Sequence, residues 1–227
     1  MKITALGDIH GRTIWKQIVE ENMDSDKIVF QGDYFDTHEN ITVKQQMENF
    51  ADIAQFKRFY PDKVVLLFGN HDFHYLRGIG MEETYSGYNA YAAPAISILL
   101  HRELECMQMC FAHKELLFSH AGVTKTWADN NKIIDVEKDI NELFIHQPRA
   151  FKFTSGERQD PYGDDVTQSP IWVRPRSLEE DGLTDFIHIV GHTTVPIIKQ
   201  EENIILIDAL PRQYLVWEDG TFTIKNI

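Results

Sequence analysis

Short apolar runs alternate with longer amphipathic segments through the first 70 residues of the sequence. The apolar runs predict strands at residues 1–6, 27–31 and 63–68. The third run is almost continuously apolar, which is typical of a strand buried on both faces. Residues 12–21 and about 41–60 carry apolar side chains at helical spacing and predict helices. This β-α-β-α-β order favours a mostly parallel sheet with helices packed against it.

The remainder of the chain predicts shorter and less regular elements. Residues 89–103 predict a helix with Pro94 near its start, and residues 106–112 and 115–119 predict a hairpin. Further strands are predicted at about 186–190, 203–208, 213–218 and 221–226. This β-rich tail predicts a second sheet stacked on the first.

The domain organisation predicted from the sequence is simple. We find no internal repeat and no linker, and a length of 227 residues suits one hydrophobic core. We therefore expect a single domain over residues 1–227, with an insert at about 74–103. The polar segment at about 146–170 is long for a loop inside a compact domain. Two interpretations of it are equally open, a loop at the rim of a site or a mobile surface loop.

The composition changes this picture mainly through the charge. The sequence contains 22 Lys and Arg residues against 35 Asp and Glu residues, a formal net charge of −13. Such an excess argues against nucleic acid as a partner, because gripping its backbone needs a basic face. It does not exclude a small anionic substrate, since a bound metal can invert the local charge.

Two further features bear on location. No run approaches the roughly 20 apolar residues of a membrane-spanning helix, and the start lacks the basic region of a secretory signal. We therefore expect no membrane partner. Two cysteines, Cys106 and Cys110, are too few to staple a fold of this size, which favours a reducing, cytoplasmic setting. Their spacing would suit a metal pair on a helix, but without a third ligand nearby we favour buried structural thiols.

Polar side chains follow each of the first three predicted strands. Gly7-Asp8-Ile9-His10-Gly11 follows the first, and in an extended backbone Asp8 and His10 leave the same face. Alone, this motif is more often a capping Asp and a surface His. The later strands end in Gly32-Asp33-Tyr34-Phe35-Asp36 and Gly69-Asn70-His71-Asp72. Since ligands of open α/β sheets gather at the carboxyl ends of strands, these side chains are expected to converge.

Two histidines extend the series. His120 lies in Ser119-His120-Ala121-Gly122, and His192 lies in Gly191-His192-Thr193; each follows an apolar run. Either one alone would be interpreted as an isolated structural histidine. Five such motifs in this order are not explained in that way.

The five motifs together resemble those of the calcineurin-like metallophosphoesterase superfamily. The closer resemblance is to the branch with serine/threonine phosphoprotein phosphatases and bacterial diadenosine tetraphosphatases, and it extends from residue 7 to residue 193. It implies an α/β (α+β) fold, a four-layer αββα sandwich of two mixed sheets flanked by helices. It also implies two divalent metal ions at one sheet edge.

The resemblance assigns roles residue by residue. It implies that Asp8 and His10 bind one metal and that Asp33 bridges both. It also implies that the second metal is completed by Asn70, His120 and His192. Carboxylate, amide and imidazole ligands without thiolate suit Mn²⁺, Fe or Zn²⁺. We expect two Mn²⁺ ions, with Fe or Zn²⁺ as alternatives. A shared carboxylate suits the spacing of two-metal phosphate chemistry.

The same resemblance implies a mechanism. A metal-bound hydroxide would attack phosphorus in line, and no covalent phospho-enzyme would form. His71 would be the general acid that protonates the departing alkoxide. Asp36 would lie against its ring, fixing the tautomer and raising its basicity.

The sequence departs from the family pattern where phosphate-binding arginines are expected. Thr37 follows the second motif and Phe68 precedes the third, so two guanidinium groups are missing from their usual places. Arg174, in the stretch SPIWVRPR at residues 169–176, resembles a phosphate-binding arginine of bacterial relatives. We assign it that role because a planar fork suits phosphate. Three other residues could share the phosphate-binding role, but we interpret each as an ordinary exposed polar residue: His38, Arg77 and Arg176.

The predicted insert carries four tyrosines, at positions 75, 85, 88 and 91. They could form an aromatic wall for a leaving group such as a nucleobase or a peptide side chain. We favour the alternative of a packed cap with exposed tyrosines.

Four functions remain in competition. The favoured one is a metal-dependent phosphomonoesterase acting on a phosphoprotein or a small phosphoester or nucleotide. The alternative is a dinucleoside polyphosphate hydrolase of the diadenosine tetraphosphate type. A noncatalytic metal-binding module is disfavoured because every expected ligand and His71 are present, and a nuclease is disfavoured by the acidic charge.

Overall fold

The computed structural model describes residues 1–76 and 85–227. The strands are β1 (Lys2–Leu6), β2 (Lys27–Phe30), β3 (Val64–Leu67), β4 (Met107–Gln108), β5 (Cys110–His113), β6 (Leu116–Ser119), β7 (Ile187–Val190), β8 (Lys199–Glu201), β9 (Ile204–Leu206), β10 (Gln213–Glu218) and β11 (Thr221–Asn226). The α-helices are α1 (Trp15–Glu21), α2 (Val43–Phe59), α3 (Asn70–Phe73), α4 (Ala93–Glu103), α5 (Lys125–Asn130), α6 (Val136–His146) and α7 (Pro175–Asp181). Short 3-10 helices lie at Leu104–Cys106 and Pro148–Phe151.

The strands form two mixed sheets. The first has the order β11-β10-β1-β2-β3-β4, in which β1 to β4 are parallel neighbours and β10 and β11 are antiparallel additions. The second has the order β5-β6-β7-β9-β8, with β6, β7 and β9 parallel. The predicted β-α-β-α-β opening is confirmed by β1, α1, β2, α2 and β3.

Alternate residues of the central strands face two different hydrophobic cores. On β2, Val29 belongs to the core between the sheets, together with Phe118 of β6 and Ile189 of β7. Its neighbours Ile28 and Phe30 point the other way, into the core that includes residues of α1 and α2. A strand buried on both faces needs apolar residues at every position, which explains the continuous runs in the sequence. The predicted fold of two mixed sheets flanked by helices is confirmed.

Thr42 explains where α2 begins. Its hydroxyl accepts a hydrogen bond from the Gln45 amide, and the Gln45 side chain accepts one from the Thr42 amide. This reciprocal pair satisfies amide groups that have no partner inside the helix. It positions α2 to pack its buried residues Phe50 and Ile53 on the outer face of the first sheet.

Two details of the predicted sheets are wrong. The C-terminal tail does not join the second sheet as a whole, because β10 pairs with β1 and extends the first sheet, whereas β7, β8 and β9 lie in the second. The segment 106–112 is not a single strand: the predicted hairpin with 115–119 is confirmed only from Cys110 onwards, where β5 pairs antiparallel with β6. The segment first pairs with β3 as β4 and then crosses at Met109 into the second sheet as β5. The buried Met109 side chain holds this crossing in the core.

In the described parts of the chain, none of the helices has the length and apolar composition to cross a membrane.

Candidate functional site

Five loops, each following a strand, bring the predicted ligands together. The donors follow β1, β2 and β3 of the first sheet and β6 and β7 of the second: Asp8 and His10, Asp33, Asn70, His120 and His192. Because both sheets present the carboxyl ends of parallel strands here, their loops share one edge of the sandwich. The structure therefore brings all six side chains into one cluster.

Asp33 and Asn70 lie at the centre of this cluster. Asp33 Oδ2 lies 3.4 Å from His120 Nε2 and 3.8 Å from His10 Nε2. Asn70 Oδ1 lies 3.0 Å from His120 Nε2 and 2.8 Å from His192 Nδ1. The cluster is thus a set of oxygen atoms interleaved with ring nitrogens.

Each of the three histidines has one ring nitrogen fixed by a backbone carbonyl. These contacts are His10 Nδ1 to Phe35 O at 2.7 Å, His120 Nδ1 to Gln31 O at 2.7 Å, and His192 Nε2 to Trp172 O at 3.2 Å. A carbonyl only accepts, so the nitrogen facing it carries a hydrogen, and in the neutral ring the other nitrogen offers its lone pair. That lone pair faces the cluster in each case, which is the arrangement found in metal-binding histidines.

Asp8 is fully buried against the loop after β7. The His192 amide donates to both of its oxygens, at 3.2 and 3.0 Å. Burial, followed by the nearby Asp208 carboxylate, raises the pKa of Asp8 well above its ordinary value. The accumulation of buried negative charge at Asp8, Asp33 and Asp208 is a situation that a bound cation would relieve.

Asp33 is held by the backbone of α3. Its Oδ1 accepts a hydrogen bond of 2.9 Å from the His71 amide. Burial raises the pKa of Asp33, but His120 and then His71 outweigh burial and hold the pKa well below its ordinary value. Its carboxylate form is therefore favoured, as a metal ligand requires.

Asp72 supports this arrangement from below the site. Its carboxylate accepts hydrogen bonds from the backbone amides of Asp33, Tyr34 and Gly69, at 2.8, 2.8 and 2.9 Å. It therefore joins the loop after β2 to the loop after β3. Burial and the neighbouring Asp33 carboxylate raise the pKa of Asp72 to about 8. A cation at Asp33 would act in the opposite direction.

Four residues at the site adopt a left-handed backbone conformation. The φ angles are 43° at His10, 50° at Asp33, 60° at Asp36 and 59° at His192. This region is unfavourable for residues other than glycine, and such strain is concentrated at functional sites. The loops turn sharply at these positions and aim the side chains at the cluster.

His71 and Asp36 lie beside the cluster at its rim. His71 Nδ1 lies 3.1 Å from Asp36 Oδ2, and the His71 ring stands edge-on to His10 with centroids 5.4 Å apart. Burial lowers the pKa of His71, but Asp33 and Asp36 outweigh burial and raise it above its ordinary value. The structure thus places an imidazole, paired with a carboxylate, next to the cluster.

Arg174 also reaches the cluster. Its guanidinium donates to His192 O and Thr193 Oγ1, both at 3.2 Å, and its Nε donates to Tyr162 O at 2.8 Å. The Tyr162 contact places the polar segment 146–170 against Arg174, which supports the rim interpretation of that segment. Burial lowers the pKa of Arg174, and the Asp33 and Asp8 carboxylates raise it.

The other predicted cationic candidates lie elsewhere. Arg176 is exposed and contacts Glu180 at 3.2 Å, and His38 is exposed. Arg77 lies outside the described residues. Phe68 is fully buried against Phe144, so its position belongs to the core and cannot carry a phosphate-binding side chain.

Arg12 was not predicted and lies closer to the cluster. Its Nη1 donates to Asp8 O at 3.1 Å, and its Nε contacts Glu39 at 2.6 Å. Asp72, His74 and Asp208 were also missed. The available signal was position: Arg12 directly follows the first motif, Asp72 is the last residue of the third, and Asp208 follows β9.

The described tyrosines of the predicted insert are mostly packed. Tyr75 is fully buried and stacks on Tyr88, with ring centroids 5.0 Å apart. Tyr85 packs against Trp172 at 4.5 Å, whereas Tyr91 is fully exposed. These contacts support a packed cap, but of the four tyrosines only Tyr91 is exposed, so the expectation of exposed tyrosines holds for that one residue.

The two cysteines lie away from the site as free thiols. Cys110 is buried, its Sγ lies 3.6 Å from Val136 O, and burial raises the pKa of its thiol well above the ordinary value. These contacts match the interpretation of structural thiols.

The donor set of the cluster fits divalent metal ions. Among the described residues, one ligand atom each from Asp8, Asp33 and His120 lie within 4.8 Å of one another. Carboxylate, amide and imidazole donors without thiolate suit Mn²⁺, Fe or Zn²⁺. The three histidines also fit such ions, because a backbone carbonyl binds one ring nitrogen of each and the other nitrogen faces the cluster.

Comparison with known proteins places the chain in a family. Residues 1–206 match the family model described as calcineurin-like phosphoesterase. No curated protein gives a significant match. Among solved structures, a cold-active protein-tyrosine phosphatase of a psychrophilic Shewanella species is similar, with a TM-score of 0.69 and 16% identity over 99% of this chain and 80% of that chain. A protein serine/threonine phosphatase from Saccharomyces cerevisiae, with similarity to human phosphatase PP5, has a TM-score of 0.56 and 12% identity over 100% of this chain and 79% of that chain. At these identities the likeness shows the fold alone, and the family match shows that this chain belongs to the calcineurin-like phosphoesterases.

Proposed function

We propose that this chain is a dinuclear-metal-dependent phosphomonoesterase of the phosphoprotein-phosphatase type, working as one catalytic domain over residues 1–227. The observation that carries the proposal is the cluster of six donors with the His71–Asp36 pair at its rim. The two similar structures are a protein-tyrosine phosphatase and a protein serine/threonine phosphatase, which is consistent with this substrate class.

The proposed ligand assignment follows the cluster. Asp8 and His10 hold one metal, and Asp33 is shared between the two. The second metal is held by Asn70, His120 and His192. Mn²⁺ is the proposed ion at both positions, with Fe and Zn²⁺ as alternatives. When bound, such metals neutralise phosphoryl oxygens and lower the pKa of water.

His71 is the proposed general acid. Its Nδ1 faces Asp36 Oδ2, so the ring is oriented and its Nε2 remains for the leaving group. The Asp36 carboxylate stabilises the imidazolium that carries the proton. His71 then gives this proton to the departing alkoxide, a transfer that contributes about 10²–10⁴-fold to the rate.

Arg174 is the proposed phosphate-binding residue. Its guanidinium is already oriented by Tyr162 O and His192 O, so little side-chain freedom is lost when a substrate binds. A planar fork offers paired donors to two phosphoryl oxygens. Thr37 and Phe68 provide no such group, which makes Arg174 more important here.

The proposal is tested with an activity panel on metal-stripped protein reconstituted with Mn²⁺, Fe²⁺ or Zn²⁺. The substrates are phosphoserine and phosphotyrosine peptides, p-nitrophenyl phosphate, bis-p-nitrophenyl phosphate and diadenosine tetraphosphate, compared by kcat/KM. We expect the phosphomonoesters to be hydrolysed fastest, EDTA to abolish turnover and Mn²⁺ to restore it. Asp33→Asn, reconstituted in the same way, is the control for metal binding.

Two outcomes would contradict the proposal. Turnover by metal-free protein would remove the metal requirement. A higher kcat/KM for diadenosine tetraphosphate than for every phosphomonoester would replace the phosphomonoesterase by a dinucleoside polyphosphate hydrolase.

A further inference from the structure

The Asp36 carboxylate is held by more donors than the His71–Asp36 pair requires. Its Oδ2 accepts from His74 Nε2 at 2.6 Å and also faces His71 Nδ1 at 3.1 Å. Its Oδ1 accepts from the Tyr75 hydroxyl at 2.5 Å. Two imidazoles therefore share one carboxylate oxygen, and the second of them, His74, has no place in the proposed chemistry.

The same three side chains, Asp36, His71 and His74, are close enough to be considered as a metal site. The distances argue for hydrogen bonds instead. Two donors on one ion, each about 2.1 Å from it and at right angles or wider, lie about 3 Å or more apart. The 2.6 Å between His74 Nε2 and Asp36 Oδ2 is shorter than that and typical of a charge-assisted hydrogen bond.

The surroundings of His74 define its tautomer. The side chain is buried, with Tyr75 and Tyr88 standing edge-on to its ring at 4.5 and 5.2 Å. A carboxylate only accepts, so Nε2 carries the hydrogen. Nδ1 has no hydrogen-bond partner within the described part of the chain. The contact with Asp36 therefore assigns a hydrogen to Nε2.

The segment 85–92 holds the group from the other side. A β-carbon at Gly87 would lie 3.0 Å from Asp36 Cβ and 3.1 Å from His71 Cε1, so this glycine backbone packs directly on the pair. The backbone N–H of Asn89 donates to the Tyr75 hydroxyl oxygen at 2.8 Å, which orients the hydroxyl hydrogen towards Asp36. The pair is thus enclosed by His74, Tyr75 and a close-packed backbone.

We infer that His74 is a positioning residue for the general acid: its N–H fixes the Asp36 carboxylate in the plane that orients His71. This inference rests on the proposed function, since His74 acts only through the proton transfer assigned to His71. The terminal torsion of an aspartate is intrinsically broad, so one donor does not fix the plane. His74 on Oδ2 and Tyr75 on Oδ1 together do.

The magnitude expected of such a contact is moderate. Groups that orient a ligand or an acid through one hydrogen bond contribute about 10–100-fold. The general acid itself contributes about 10²–10⁴-fold, so loss of His74 leaves His71 partly effective. The effect must appear only where protonation of the leaving group limits the rate.

The first test compares His74→Phe with His74→Gln, on phosphoserine peptide and on p-nitrophenyl phosphate. His74→Phe keeps an aromatic ring and removes the donor. We expect kcat on the alkyl phosphate to fall about 10–100-fold and kcat on the aryl phosphate to change far less, because nitrophenolate needs little protonation. His74→Gln keeps an N–H donor and should recover most of the loss, with metal content unchanged in both variants.

A double-mutant cycle with His71→Asn separates positioning from general damage. If His74 acts through His71, then His74→Phe has no further effect on the alkyl-to-aryl rate ratio once His71 is replaced. Equal losses on both substrates, or an unchanged loss in the His71→Asn background, would overturn the inference.

A measurement on the metal-free protein makes the test independent of turnover. In imidazole ¹⁵N spectra of wild-type protein, His74 should be the Nε2–H tautomer and the His71 Nδ1–H signal should be protected from exchange. In His74→Phe, and in Tyr75→Phe, that His71 signal should exchange faster. A His74 ring protonated on Nδ1 instead would contradict the inference even if no variant folds. If the wild-type protein hydrolyses no phosphomonoester, the proposed function fails, while these spectra still report whether His74 holds the pair.

Discussion

Gly191 lies directly against the carboxylate of Asp8, so that a β-carbon at position 191 would lie 2.0 Å from Asp8 Oδ1. The same relationship recurs at Gly69, where a β-carbon would lie 2.0 Å from Asp33 Oδ1. In both cases a glycine of a later motif makes room for the carboxylate of an earlier one. The glycines are therefore part of the ligand geometry.

Gly191→Ala is expected to displace Asp8 and lower both metal content and activity. A displacement of about 1 Å in such a site can reduce the rate about 10²-fold. Metal analysis after dialysis, together with kcat/KM on p-nitrophenyl phosphate, would measure the effect. Gly220→Ala is the control for a strained substitution away from the site: its φ is 93°, but a β-carbon there meets nothing within 4 Å, so metal content should stay unchanged. Full metal content in Gly191→Ala would show that Asp8 tolerates the shift.

The sequence-based prediction succeeded where the information is local. The β1, β2 and β3 strands are buried on both faces, so their apolar runs were recognisable without knowing their partners. The prediction for the C-terminal tail was wrong because the sequence of an apolar strand does not show which other strand it pairs with. The pairing of β10 with β1 decides which of its side chains enter which core. Tyr214 and Val216 face the core next to the helices, and Leu215 and Trp217 face the core between the sheets.

The site was predictable only in part for a similar reason. Its donors follow strands and are visible as motifs, but the left-handed backbone at His10, Asp33 and His192 has no glycine to mark it. His74 and Asp72 act through hydrogen bonds to residues about 35–40 positions away. Such contacts are formed by the fold and have no spacing that could be recognised in one sequence.

Asp72→Asn is expected to loosen the loops after β2 and β3. An amide cannot accept on both sides, so its NH₂ group would face a backbone N–H of Asp33, Tyr34 or Gly69. We expect a loss of about 2–4 kcal/mol in the free energy of unfolding, measured in urea, with lower metal content. Asp181→Asn should have a smaller effect, because among the residues that the structure describes Asp181 accepts only from the backbone amide of Thr126, and the remaining amide oxygen can still do so. Equal effects would argue against a special role of Asp72.

The stability of the protein is expected to fall between pH 6.5 and 4 because of His188. Burial lowers the pKa of this side chain from 6.5 to about 4, and within the described residues its ring makes one hydrogen bond, to Leu183 O at 3.1 Å. The unfolded chain then binds a proton below about pH 6.5 that the native protein resists down to about pH 4. Linkage therefore predicts that the free energy of unfolding falls by about 3 kcal/mol as the pH is lowered from 6.5 to 4, and that it is fully restored above about pH 6.5.

His188→Leu should reduce this pH dependence. The free energy of unfolding is measured in urea at several pH values, with the metals retained. A smaller slope in the variant than in the wild-type protein is the expected result. The same slope in both would assign the acid sensitivity to other groups.

Arg174→Ala is expected to raise KM and lower kcat with metal content unchanged. A hydrogen bond to a charged group contributes about 1.5–3 kcal/mol, which corresponds to about 10–150-fold in kcat/KM. Arg174→Lys should recover little, because an ammonium group cannot make the paired contact. Arg176→Ala is the matched control, since Arg176 is 70% exposed and contacts Glu180. Wild-type kinetics in Arg174→Ala would remove this residue from the site.

Strand β1 lies between β2, which follows it closely in the chain, and β10, which is made much later. Its pairing with β10 joins Lys2 to Glu218 and Ala5 to Leu215. During synthesis from the amino end, β1 therefore keeps an unpaired edge until residues 213–218 have left the ribosome. His192 also arrives late, because it follows β7. The cluster of candidate metal ligands is consequently a late product of folding, and a chain interrupted before β10 exposes the strand that carries its first donor.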